Sequence, residues 1–423
     1  MPRRLLLVLG AIVWLSAVLC GQVLPAALED NSIFGPSKLH RVHVSFSQEE
    51  WDVLQKSGIR GSPGARGEDY TLSDGRIVHL GGGFGLAFPW VHADLLVNGA
   101  DIKDVGLRFK GNNSFVKPSL TMPFSTNLKV KTDFFGGKAD WNGVETLNFN
   151  FGARDPSAMR ESLAFAIFRE AGVPASRTAY AEITFTVPGL HENARAGVFT
   201  VVENVNKQFL KRALPPGTGL LMKPEGTRGG VLSLGPNWAS YIPVYRPERE
   251  ATPHEQQRVI EFAGLISQPD VALFRQKIGT FLDVDQFLRF VAVNLFIVNG
   301  DSYLTGNHNY YLYLDPKDDK FRFIPWDEDL TMGNRGGGNV GPDILRPNAG
   351  NNALIYWLLD DPVVAERYRA ILKELAASVF VAPVLNKMIA GAEQALPGRD
   401  PSTRNFLINR AAYMQSVVAE MDK

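Results

Sequence analysis

The sequence predicts an α+β fold in two lobes, a β-rich first lobe and a helical second one. Through the first half, short runs alternate apolar and polar residues between Gly and Asn turns, as half-buried strands do. From His254 onward the apolar spacing widens to that of amphipathic helices. One aromatic hairpin interrupts this helical half. Strands followed by helices, rather than alternating with them, make segregated layers.

Leu39 to Phe46 alternate as an opening strand, and Ser47-Gln48-Glu49-Glu50 has capping-box spacing ahead of a helix. Gly58 to Gly85, rich in Gly, Arg and Asp, reads as a long surface loop. Val91 to Val97, the Asn98-Gly99 turn and Val105 to Phe109 make a hairpin. Leu128-Lys129-Val130-Lys131 is a half-buried strand with both lysines on one face. Asp155 and Pro156 open a helix as N-cap and first-turn residue, with Met159, Leu163 and Ile167 as its apolar stripe. Strands over Tyr180 to Val187 and Ala196 to Val202 end at Glu203. Residues 215–253, rich in Gly and Pro, read as a connection with an insertion between a first lobe, 28–214, and a second, 254–423. Helices are expected over 254–266, 270–280, 284–298, 362–380, 382–395 and 402–422, with a Gly/Asn-rich loop from Gly333 to Asn352.

The chain of 423 residues is 45% hydrophobic and carries 44 acidic and 44 basic side chains, so it is globular and gives no electrostatic footprint for nucleic acid. Arg3 and Arg4 precede an apolar run from Leu5 to Leu19, the pattern of a secretory signal within residues 1–27. That run is too short for a stable membrane span, and no second one is long enough. The mature chain is therefore expected outside the cytoplasm, with retention through an uncleaved anchor as the alternative. Cys20 is the sole cysteine, and Leu19 before it is a poor lipidation signal. Once the signal is removed, disulfides, thiol catalysis and thiolate metal sites are all excluded.

The chemistry concentrates between Asn299 and Gly333. Tyr310 to Leu314 and Phe321 to Ile324 flank a polar turn, so a hairpin places Asn309 across from Trp326 or Asp327. Asp327 and Asp329, two apart in an extended segment, would face one side, and Asp301 lies on the loop before the hairpin. Such an oxygen-rich cluster suits Mg²⁺ or Mn²⁺ shared with substrate phosphates. Asn307 is a rival to Asn309 as ligand. In the blander reading these residues are turn formers and Trp326 is core; the hairpin register and the preceding Asp301 weigh against it. A glycosidase built on Asp327 and Asp329 is a distant alternative, their separation falling between the two usual ones.

Upstream, Lys110-Gly111-Asn112-Asn113-Ser114 is a donor-rich turn after a strand that suits phosphate oxygens, although it is not a Walker loop. Lys129 or Lys131 paired with Glu161 on the helix would steady a nucleotide, with Glu203 ending the strand beyond. A Gly-containing turn, a strand lysine, a helix Glu, an Asp loop, an Asn and a second Asp form the order of parts that kinases use. In that scheme Asp301 is the base, and Asn309 and Asp327 hold the metal, with Asp329 beside them.

Several stretches carry a resemblance to the CotH (spore-coat protein H) kinase family. They are VGLRFKGNNSF, LKVK, LNFNFGARDPSAMRESLAFAIFREAGVPA, GVFTVVENVNKQFLKR, NHNYYLYL and FIPWDEDLTMG, spread over about residues 90 to 333. The resemblance implies an atypical protein-kinase-like fold that binds ATP and a divalent metal and phosphorylates Ser or Thr of a protein substrate. It implies Asp301 as catalytic aspartate and Asp327 as metal aspartate, with Asn309 in the matching His-Asn pair. ATP-dependent amino-acid ligation such as glutamylation, and a non-catalytic surface or adhesion pseudokinase, are the competing readings.

Overall fold

A computed structural model describes residues 32–423 apart from 61–66, 112–114, 120, 138–139, 153–154, 156, 226–229, 269, 334–343, 346, 348–351, 400 and 422. The alternating runs of the first half fold as strands Leu39–Ser45 (β1), Ile59–Arg60 (β2), Asp69–Thr71 (β3), Ile77–Leu80 (β4), Leu86–Pro89 (β5) and Val91–Val97 (β6). Ala100–Phe109 (β7), Leu128–Lys131 (β8), Thr146–Asn150 (β9), Thr178–Val187 (β10) and His191–Glu203 (β11) follow. Seven of them close a barrel in the order β1-β10-β11-β9-β8-β7-β6. The closing stave is β1, parallel to β10 on one side and antiparallel to β6 on the other. Its inward Val42 and Val44 join a core with Leu95, Val130 and Phe185. Asn98 and Gly99 have φ of 50° and 92°, the left-handed pair a two-residue hairpin turn requires between β6 and β7.

The stretch from Gly58 to Gly85 is not a loop. It contributes β2, β3 and β4 to a second sheet of order β2-β5-β4-β3. These strands are two to four residues long, too short for alternation to register in the sequence.

Helix Gln48–Leu54 (α1) opens on Ser47, whose hydroxyl accepts from the Glu50 amide at 3.1 Å. Helix Arg160–Glu170 (α2) starts later than Asp155 and Pro156 suggest. Pro156 lies outside the described residues. Asp155 instead ties down the turn before the helix: its carboxylate accepts from the Ser157 amide at 3.1 Å and the Arg160 amide at 2.8 Å, and pairs with the Arg160 guanidinium at 3.0 Å. Next come Lys207–Ala213 (α3), strand Leu220–Met222 (β12), Ile242–Tyr245 (α4), Pro253–Ser267 (α5), Val271–Phe281 (α6), Val284–Phe296 (α7) and Tyr303–Gly306 (α8). The hairpin is Tyr310–Asp315 (β13) and Lys320–Pro325 (β14). Ala353–Leu359 (α9), Pro362–Ser378 (α10), Ala382–Ala395 (α11) and Ser402–Met421 (α12) complete the chain. From the Gly/Pro-rich connection, β12 pairs with β13 and makes a third sheet, β12-β13-β14.

Helix α2 and the helices from α4 onward share a core separate from the barrel's, which α2 joins through Leu163, Phe165 and Phe168, whereas α1 packs in the barrel core through Trp51 and Leu54. Helix α7 runs through that core and delivers the chain to Asn299. Gln286 clips α7 to β14, donating to the Phe323 carbonyl at 2.6 Å and accepting from its amide at 3.1 Å. At the far end of α7, fully buried Arg410 from α12 donates to the Leu295 and Phe296 carbonyls at 2.8 and 3.1 Å. A cation there meets the negative end of the helix dipole and satisfies terminal carbonyls. Arg410→Met is therefore expected to cost about 2–4 kcal/mol in chemical denaturation. An unchanged midpoint would remove this cap from the account. Among the described residues no single helix is long and apolar enough to cross a membrane.

Candidate active site

The hairpin forms in the expected register. Tyr310 faces Pro325, and the Trp326 amide donates to the Asn309 carbonyl at 3.3 Å. Asn309 has φ of 58°, a left-handed bend that returns its side chain to the preceding loop. Its amide nitrogen donates to the Asp301 carbonyl at 2.6 Å and to the Asp301 carboxylate at 3.3 Å. His308 Nε2 meets the other Asp301 oxygen at 3.0 Å. Asp301 and Asn309 are thus brought together, and the carbonyl oxygen is the atom Asn309 would offer a cation.

The expectation that Asp327 and Asp329 share one face of an extended strand fails. Asp327 has φ of 60°, and Glu328–Leu330 forms a single 3-10 turn. Left-handed backbone at Asp327 ends the strand there and swings Asp329 out of the alternation. The geometric basis for a glycosidase pair goes with it.

Between the two aspartates sits buried Glu328, which sequence reasoning missed. The Asn299 side chain donates to Glu328 at 2.7 Å while its oxygen accepts from the Asp301 amide at 2.9 Å. Gly300 N donates to Leu330 O at 3.1 Å, and Met332 N to Ile297 O at 2.7 Å. The Asp301 loop and the Asp327 turn are therefore one hydrogen-bonded frame. Val298, with φ of 50°, is a β-branched residue in left-handed backbone, a strain of about 1–3 kcal/mol that this frame holds in place. Burial pushes the Glu328 carboxyl well above the usual carboxylate range, reinforced by Glu161 and Asp327.

Near Asp327 lies a basin of cations, from the barrel wall and from the residue after β12. Lys110, at the end of β7, hydrogen-bonds Asn148 at 3.2 Å and lies 5.5 Å over the Trp326 ring. Burial lowers it to about 8 against the pull of Asp327 and Glu161. Lys129 is pushed down to about 7 by burial, with Arg108 and Lys223 adding to the effect. Lys223, just after β12, also lies 5.5 Å from the Trp326 ring and pairs with Glu225 at 3.3 Å. Burial raises the Asp327 carboxyl; Lys110 and Lys223 oppose this and Asp301 reinforces it. Excess positive charge on one side and crowded carboxylates on the other are what a phosphate–metal complex would neutralise.

Other expected residues fare differently. Glu161 does not pair with Lys129 or Lys131; its two oxygens accept from the Asn150 amide at 2.9 and 2.8 Å. Burial raises it to about 7, with Asp327 adding and Asn150 and Lys110 opposing. Lys131 reaches the Phe134 ring, 5.5 Å away, rather than the basin. Glu203 is held by Arg177 at 2.8 Å and Arg212 at 2.7 Å. Gly111 has φ of 127°, which only glycine adopts easily, while Asn112, Asn113 and Ser114 lie outside the described residues. Asn307 instead turns its side-chain oxygen to Asn352.

At Glu203, burial favours the neutral acid, but Arg212 and Arg177 outweigh it and hold the carboxyl below its ordinary value. A depressed carboxylate contributes stability above its unfolded-state value, and that contribution is lost as pH falls through the folded one. Glu203→Gln is accordingly expected to be less stable at neutral pH and to show a flatter acid limb in urea midpoints. Identical pH profiles would count against it.

Among the described residues no three His, Cys, Asp or Glu side chains stand ready around one point. The donor set still fits Mg²⁺ or Mn²⁺, which take one or two carboxylates and complete the shell with water and phosphate. Asp327 and Asn309 would hold it.

The model of the family described as CotH kinase protein matches residues 107–419, most of the chain and all of this site. The chain belongs to the CotH kinase family. One family relative, the inner spore coat protein H of Bacillus subtilis, is 26% identical over 71% of this chain and 80% of its own length. Two Rhizopus delemar proteins, spore coat protein homolog 1 and invasin CotH7, are each 24% identical, covering 57% and 53% of this chain. The matches span only 40% and 38% of those fungal proteins. Among solved structures, the Helicobacter pylori proinflammatory kinase CtkA matches 74% of this chain and 94% of its own at 11% identity, TM-score 0.35. The Shewanella oneidensis HipA–HipB–operator complex matches 73% of this chain and 66% of its own at 13% identity, TM-score 0.36.

Proposed function

We propose that this CotH-family chain is an exported protein kinase of two-lobed, protein-kinase-like form, transferring the γ-phosphoryl group of ATP to Ser or Thr of a protein. The observation that carries the reading is the shared frame of Asp301 and Asp327, set beside the cations Lys110 and Lys223, with Lys129 close to both lysines. In this scheme the barrel lysines orient the phosphate chain, and Asn309 holds the Asp301 carboxylate where an acceptor hydroxyl arrives. Asp301 takes the hydroxyl proton as the acceptor oxygen bonds to the γ-phosphorus. The bond from that phosphorus to the β-γ bridging oxygen breaks, leaving ADP and a phosphoester. A divalent cation on Asp327 and Asn309 would supply neutralisation of the phosphate charge. Export rests on the N-terminal charge and apolar pattern and on the spore-coat names of two relatives.

The test is a thermal-shift titration of residues 28–423 with ATP and Mg²⁺ or Mn²⁺, followed by intact-mass analysis of the protein and a Ser-rich acceptor. Stabilisation by metal-ATP and phosphate-sized mass steps are expected. No shift with either metal refutes the proposal, and glutamate-sized steps replace it with ligation.

A further inference from the structure

Asn307 is part of the loop that presents Asp301 but plays no part in the phosphate centre. With φ of 54° its side chain turns the other way, and its oxygen accepts from Asn352 at 3.1 Å. Asn352 also donates to the Tyr303 carbonyl at 3.2 Å and caps α9 through the Ile355 amide at 3.2 Å. These bonds lock α9 against α8. Between them opens a cavity of about 380 Å³, lined by Val231, Leu232, Ile266, Tyr303, Leu354 and Trp357. Gly230 closes on Asn307: a Cβ there would come within 3.2 Å of its side chain. Trp357 is braced edge-on by Phe274 at 5.2 Å.

We infer that this cavity receives an apolar side chain of the acceptor polypeptide, at a fixed offset from the hydroxyl that Asp301 deprotonates. The inference rests on the kinase reading and adds a substrate class to it. Among the described residues no charged side chain lines the cavity, and its polar members, Ser267, Gln268, Asn307 and Asn352, are all neutral. That composition rejects phosphate and acidic or basic anchors and fits Leu, Ile, Met or Phe. Leu232 is 48% exposed, so the cavity opens to solvent. Its wall residue Tyr303 is two positions from Asp301, no more than about 7 Å along the chain. The loop that carries Asp301 is thus continuous with a wall of the cavity.

The experiment scans a single Leu or Phe through every position around the Ser of an otherwise Gly/Ala peptide, using wild-type protein, Leu232→Lys and Leu232→Met. Wild type is expected to favour the apolar residue at one offset by roughly tenfold or more in kcat/KM, the value of burying one such side chain. Leu232→Lys should lose that preference and Leu232→Met keep it, while both retain the metal-ATP thermal shift that certifies their fold. Phosphorylation without an apolar preference, or a preference that survives Leu232→Lys, overturns the inference and leaves the kinase reading standing. Peptides that neither accept phosphate nor bind wild type by fluorescence polarisation overturn it as well. A missing metal-ATP shift in wild type removes the kinase reading and this inference together.

Discussion

Asp327→Ala should abolish metal-dependent ATP binding while leaving a folded protein. Asp327 is a crowded carboxylate, raised by burial and by Asp301, so its removal relieves repulsion in the apo state. What disappears is the acidic ligand for the cation, and without the cation the triphosphate faces Asp301 and Glu328 unshielded. Asp301→Asn should behave differently. The amide keeps the shape of the carboxylate beside Asn309 and His308 but cannot take a proton. Nucleotide binding should survive and phosphoryl transfer fall by about 10²–10⁴, the usual worth of a positioned base. Isothermal titration with Mg²⁺-ATP, paired with transfer assays, separates the two outcomes. An Asp327→Ala protein that still binds metal-ATP, or an Asp301→Asn protein of undiminished rate, would discard the assignment.

Lys110→Met should weaken metal-ATP binding by roughly tenfold to a hundredfold, the worth of about 1.5–3 kcal/mol for a hydrogen bond to a charged group. Lys110 is the strongest favourable charge on Asp327 and contacts the indole that precedes it in the chain. Lys131→Met, on the same strand face as Lys129 but turned to Phe134, should change the affinity little. Calorimetry on the pair decides which lysine meets the nucleotide. Equal losses at 110 and 131 would mean that net charge, not position, is being measured.

The hairpin was legible because aromatic alternation on both sides of a six-residue polar turn fixes its register, and Asn309 faces Trp326 accordingly. The helical half was legible because N-caps such as Asp283 and Asp361 mark helix starts in the letters. Backbone handedness was not. Nothing in Pro325-Trp326-Asp327 announces that Asp327 adopts a φ of 60°, so the letters continue the strand where the chain turns. Lys223 was hidden for another reason. Its strand is three residues long within a Gly/Pro-rich stretch, and only pairing with β13 brings it to Trp326. The ion pairs of Glu203 are likewise invisible in the letters, since Arg177 and Arg212 reach it from 26 and 9 residues away.

Closure of the barrel by β1 imposes an order on biosynthesis. β1 leaves the ribosome well before its parallel neighbour β10, with partners such as Val42 and Ile183 about 140 residues apart along the chain. Until β10 emerges, β1 lacks its native partner on that edge. A polypeptide begun after Ser45 would leave the facing borders of β6 and β10 permanently bare, ready to recruit strands from other molecules.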